Sequence, residues 1–121
     1  MSKDERMELG VFFHMLYELN KGLRKLSLFT CPNKNMEVIK EHLRKCNYDF
    51  VVENLVNGCS NIFFGDKEAI NVIKSFNKDS LRDFTPEEDF ILGILLGYSQ
   101  DQQCKRFLRH KEKECKSAKV I

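Results

Sequence analysis

From Glu8 to Leu23 the apolar residues recur every three or four positions. Leu9, Phe12, Phe13, Leu16, Leu19 and Leu23 fall on one stripe of a helix, and Gly22 lies near its end. From Lys25 to Cys31 the period changes to two: Leu26 and Leu28 take one face and Phe29 the other, which predicts a first strand. Pro32 and Asn33 break the chain. Asn35 is placed to cap a second helix running to about Lys45, with Met36, Ile39, Leu43 and Cys46 on its buried side. Tyr48 to Leu55 reads as a second strand and Ser60 to Phe64 as a third, antiparallel to it. Asn57 and Gly58 form the turn between them, because both residue types tolerate positive φ.

Asp66 is placed to cap a helix whose apolar positions are Ala69, Ile70, Ile73 and Phe76, and Asn77 to Phe84 is a polar connection. Thr85-Pro86-Glu87-Glu88 is a strong helix start, with Thr at the cap, Pro at the first helical position and Glu88 where a capping box needs it. That helix carries the apolar run Phe90 to Leu96 and ends near Gly97. Ser99 and Gln102 repeat the capping pattern, so a last helix is expected from Gln100 to Lys111.

The order is α-β-α-β-β-α-α-α, an α+β class domain. A strand, a crossover helix and a strand predict two parallel strands, so the small three-stranded sheet is expected to be mixed. The β-α-β-β-α core reads as a ferredoxin-like split motif lacking its last strand. Tyr48, Phe50, Val52, Ile62 and Phe64 are expected on one sheet face, and Phe29, Val51, Leu55 and Phe63 on the other. The two helices flanking the hairpin are assigned to one face. The other is left to the first and last two helices, or to a second subunit.

A chain of 121 residues is long enough for one unaided core, expected over residues 1–112, with 113–121 as a basic, frayed tail. The apolar run Phe90 to Leu96 is far short of the roughly 20 residues that cross a bilayer. The polar start MSKDERMELG shows no hydrophobic leader, so the expected compartment is the cytoplasm, with no membrane partner. Cys31, Cys46, Cys59, Cys104 and Cys115 are odd in number and contain no C-x-x-C pair, which predicts free thiols.

Charge changes the picture at one end. Between Lys105 and Lys119 there are seven basic residues and two acidic ones, a local charge of +5 against an overall +2, leaving −3 elsewhere. Lys105, Arg106 and Arg109 form the candidate docking patch for an anionic partner. Nucleic acid is not the expected partner, because no stacking platform or helix-turn-helix signature accompanies the charge.

Candidate chemistry is sparse. No catalytic constellation, phosphate-binding loop or HExxH is present, and no catalytic residue, cofactor or metal is assigned. Cys31 ends a strand just before a helix start, where backbone amides would favour a thiolate, and is the candidate reactive thiol. His42 and Cys46 have metal-compatible i, i+4 spacing but no second pair. Asn54, Asn57, Gly58, Cys59 and Asn61 make an amide-rich hairpin, a candidate surface for a small ligand, a nucleotide or a partner backbone. Gly93 and Gly97 at GxxxG spacing permit close helix approach, and Glu87, Glu88 and Asp89 complement a helix dipole.

The segments VVENLVNGCSNIFFG and FILGILLGYSQDQQCKRFL, with the helix between them, resemble a family of small bacterial proteins known only as a conserved domain of unknown function. The resemblance spans about Glu8 to His110. It implies a three-stranded, five-helix α+β domain that forms a homodimer, and it carries no catalytic residue to transfer. It also implies gene neighbourhoods with flavodoxins, and so an accessory role around flavin electron transfer. The expected function is therefore binding: a homodimeric accessory or regulatory protein that docks an acidic partner, with a flavodoxin-like electron carrier the candidate. The alternatives are a thiol-based redox enzyme or sensor using Cys31, and a small-ligand binder at the Asn-rich hairpin.

Overall fold

The computed structural model describes residues 3–119. Helix α1 spans Lys3–Asn20, strand β1 Leu26–Pro32, helix α2 Met36–Lys45, strand β2 Asp49–Asn54, strand β3 Cys59–Gly65, helix α3 Lys67–Ser75, helix α4 Pro86–Leu95 and helix α5 Gln100–Lys119. Single turns of 3₁₀ helix at Asn33–Asn35 and Leu81–Asp83 lead into α2 and towards α4. The α+β class and the order of elements are those read from the sequence. The α5 helix continues past Glu112 to Lys119, through most of the stretch expected as a tail. The tail's last two residues, Val120 and Ile121, lie outside the described residues.

The sheet order is β1-β3-β2, and both pairings are antiparallel. This corrects the expected mixed sheet. Strands β1 and β2 do run the same way, but β3 lies between them, so no parallel ladder forms. Two terminal bonds set the ladder's phase: Asp66 N–H donates to Lys25 O and Asn33 N–H donates to Gly58 O, both at 3.0 Å. Because antiparallel residues alternate between bonded and non-bonded pairs, Ser27, Phe29 and Cys31 bond inward to β3. Leu26, Leu28 and Thr30 turn their backbone groups outward.

Two further assignments change. Phe29 stands opposite Ile62, so it shares the face of Phe64, Phe50 and Val52 rather than that of Phe63. That face is covered by α1 and α2, in a core of Phe12, Leu16, Phe29, Ile39, Leu43, Ile62 and Phe64 among others. The opposite face carries Leu26, Phe63 and, partly buried, Leu28 and Val51. It is covered by Ala69, Ile70 and Ile73 of α3 and by Leu92 and Leu96 at the α4 end. The two helices flanking the hairpin therefore lie on opposite faces. The likeness to a ferredoxin-like motif ends at the split β-α-β unit.

Local devices fix these elements. The capping box at Thr85 and Glu88 forms in both directions, at 3.1 and 2.9 Å, with Pro86 opening α4. Asn35 does not cap α2 as expected. Its backbone is already helical and its amide donates instead to Glu8 of α1 at 3.1 Å. The hairpin turn also differs: of Asn57 and Gly58, only Gly58 has positive φ, at 79°. Gly65 marks a close approach, since a Cβ there would meet the Lys25 carbonyl oxygen at 2.2 Å. No helix among the described residues is long and apolar enough to cross a membrane.

Candidate functional site

The α4 and α5 helices form an antiparallel hairpin, and the GxxxG pair divides its work between packing and turning. A Cβ on Gly93 would meet the Gln103 side chain at 1.6 Å, so Gly93 is the space in which the buried Gln103 sits. Gly97 instead adopts φ 84° and ends α4. Tyr98 N–H donates to Gly93 O and Gly97 N–H to Ile94 O, satisfying the last carbonyls of the helix. The guanidinium of Arg24 donates to Leu96 O and forms a 2.9 Å ion pair with Glu18, tying this turn to α1.

The acidic triplet at the start of α4 is a set of tethers. Asp89 accepts both arms of the Arg106 guanidinium, at 2.7 and 3.0 Å. Glu87 pairs with Lys111, and that hydrogen bond holds its carboxyl below the usual range. Glu88 accepts from Thr85 N–H, which lowers its carboxyl in the same way, and pairs with Lys78 at 3.3 Å. Phe90 meets Phe107 edge-on at 5.7 Å.

Between this hairpin and the sheet lies a cleft of about 630 Å³. Its floor is Leu28 of β1, Leu81, and Leu92 and Leu96 of the α4 end, and one wall is α5 with Gln102, Gln103, Lys105, Arg106 and Arg109. Tyr98 also lines it. The three residues of the candidate basic patch thus line one cavity, but they differ in standing. Arg106 is locked to Asp89, whereas Lys105 and Arg109 have no ion-pair partner among the described residues. The side chains of Lys116 and Lys119, also part of the basic run, lie outside the described residues.

The other candidates are placed as follows. Cys31 is buried (2% exposed), and its thiol is pushed up to about 11, chiefly by burial and then by Glu8 and Cys59. The amide-rich hairpin is turned on itself. The Ser60 hydroxyl lies within hydrogen-bond reach of both Asn33 and Asn54. Asn61 bridges Thr30 and Glu53 across the sheet, and Asn57 accepts from Cys59 N–H at 3.3 Å. His42 packs edge-on against Phe13 at 4.9 Å, while Cys46 is exposed just beyond α2. Among the described residues no group of three or more His, Cys, Asp or Glu is gathered so that it could hold a metal.

Sequence reading missed the cleft's floor and the tether on Arg106. Charge alone marked Arg106 as equivalent to its neighbours, and nothing local to it points to Asp89, seventeen residues earlier. A detectable signal was the pairing of an acidic first turn on one helix with a basic stripe on the next, which an antiparallel hairpin brings together.

The fold and cleft together define a small α+β domain: a split β-α-β sheet layered between helices, with a helical hairpin packed on one face through the end of α4. Residues 10–110 match the family model described as Protein of unknown function (DUF2023), and the chain belongs to that family. No curated protein matches the chain.

Proposed function

We propose that this protein acts by binding, as an accessory protein that docks an acidic protein partner at the cleft between α5 and the sheet. One observation carries the reading. Lys105 and Arg109 line a leucine-floored cleft and have no ion-pair partner among the described residues, while every carboxylate of the α4 first turn is engaged. Clefts focus the field of unneutralised charges and speed encounter with partners of opposite sign. A flavodoxin-like electron carrier, the partner implied by the family resemblance, has the matching charge.

Reversing both charges in Lys105→Glu with Arg109→Glu is expected to slow association with such a carrier about tenfold at low salt and to flatten its salt dependence. Stopped-flow association across an ionic-strength series measures both. An unchanged rate and salt slope would reject the docking face. Arg106 is left intact in this variant because its loss would also loosen the α4–α5 hairpin.

Self-association belongs to the same reading and is supported by a different surface. On the outer side of the hairpin, Phe90, Ile91, Cys104, Phe107 and Leu108 line an apolar hollow, with Leu108 64% exposed. Contiguous apolar surface of this kind marks interaction sites. Light scattering on the eluting protein is expected to give a dimer mass for wild type and a monomer mass for Leu108→Glu. A wild-type monomer at all concentrations would end the dimer reading.

A further inference from the structure

The basic cleft has a second property that its charge does not require. Its floor includes Leu28 of β1, one of the two edge strands of the sheet. Strand β1 pairs with β3 alone, and its outward residues are Leu26, Leu28 and Thr30. Leu26 is fully buried, so the accessible stretch begins at Leu28, which is part-buried in the cleft floor, and continues through the exposed Thr30. The backbone N–H and C=O of Leu28 and Thr30 have no hydrogen-bond partner among the described residues. Pro32 ends the strand with no N–H to offer, which limits the length of edge that can pair. This is the position a fourth strand would occupy if the split motif were complete.

We propose that the partner docks by strand addition: an extended acidic segment pairs with the β1 edge from Leu28 to Thr30 and lies in the cleft between β1 and α5. The proposal rests on the docking reading above and states its geometry. Side chains alternate along such a segment. One set faces the cleft, on the same sheet side as Leu28: its central apolar residue lies over the leucine floor of Leu28, Leu81, Leu92 and Leu96, and carboxylates at the flanking positions of the same set meet Lys105 and Arg109. Main-chain bonds supply the affinity, and the apolar and basic walls supply the selectivity. An acidic segment is the occupant because both unneutralised charges on the cleft wall are positive and the one carboxylate there, Asp89, is held by Arg106.

The test uses a fluorescein-labelled heptapeptide, Thr-Glu-Thr-Val-Thr-Glu-Thr, whose even positions form the cleft-facing set, followed by anisotropy with the full-length protein. Thr30→Pro removes an outward N–H without touching the β1–β3 ladder, a position where an edge strand tolerates proline. Thr30→Ala loses the same hydroxyl contact to Asn61 but keeps the N–H, and so serves as its control. The expected result is that wild type and Thr30→Ala bind alike and Thr30→Pro binds about tenfold more weakly. The same peptide N-methylated on alternate backbone amides is expected to bind wild type as weakly, which keeps the test independent of how Thr30→Pro folds. Lys105→Glu with Arg109→Glu should also lose binding.

If charge reversal abolishes binding while Thr30→Pro and the N-methylated peptide match wild type, strand addition is overturned and the docking face stands. Equal binding by all variants overturns both. A peptide that wild type does not bind overturns strand addition, leaving the docking face to the stopped-flow measurement.

Discussion

Phe12→Ala is expected to destabilise the protein by about 3–5 kcal/mol, a large share of the 5–15 kcal/mol typical of a domain. Phe12 is fully buried midway along α1. Its ring lies 5.4 Å from Phe64 on the central strand and 6.1 Å from Phe29 on β1, both tilted. Truncation removes the contact that seats α1 on the sheet and leaves a cavity bounded by two strands, which cannot collapse without bending the ladder. Its neighbour Phe13 is 43% exposed and meets mainly His42 and Phe12, so Phe13→Ala is expected to cost less than about 1.5 kcal/mol. Urea unfolding followed by circular dichroism reads both, with a lower midpoint and an unchanged slope for Phe12→Ala. Equal losses for the two variants would mean that α1 is an appendage rather than a layer of the core.

That contrast shows where the sequence is legible and where it is not. Four residues of the α1 stripe, Leu9, Phe12, Leu16 and Leu19, were readable because helical periodicity is local, whereas Phe13 is half-exposed and Leu23 is exposed beyond the end of α1. The start of α4 was readable too, where Thr85, Pro86 and Glu88 lie within four consecutive residues. Alternation placed Phe29 opposite Leu28 in β1, but which face it joined depended on its register with Ile62, thirty-three residues away. Both sheet faces are apolar, so hydrophobicity could not say which helix covers which. The assignment of α3 to the side opposite α2 came only with the fold.

The candidate site divides the same way. Lys105, Arg106 and Arg109 were visible as charge, and Gly93 as a close-packing position. The separation of Arg106 from the other two required the α4–α5 hairpin that brings it to Asp89. The open edge of β1 was equally hidden. A missing fourth strand can be inferred from the order of elements, but the outward turn of Leu28 and Thr30 follows from the bonds at the two ends of the ladder. That Leu28 of this edge strand shares a cleft with the basic residues of α5 follows from packing alone.

In the native protein Cys31 is expected to react with iodoacetamide at least about a hundredfold more slowly than Cys46 or Cys115 at neutral pH. The strand end before a helix was the reason to consider it, since amides there favour a thiolate. The structure sets the opposite environment. Asn33–Asn35 is only one turn of 3₁₀ helix, the Cys31 side chain points into the α1–α2 core, and Glu8 and Cys59 add negative neighbours. Moving a thiol from 9.0 to about 11 lowers its thiolate fraction about a hundredfold, and burial slows the reagent further. The sign also fixes a pH effect. The unfolded chain ionises first, so this group's contribution to stability is full below about 9 and is lost as the pH rises towards 11. Mass mapping after timed alkylation, with a urea-unfolded control in which all five cysteines react, measures the ratio. Labelling of Cys31 as fast as Cys46 in the native state would place the thiol at an accessible, activated site and revive a redox role. Slow labelling leaves Cys31 as a small apolar member of the core.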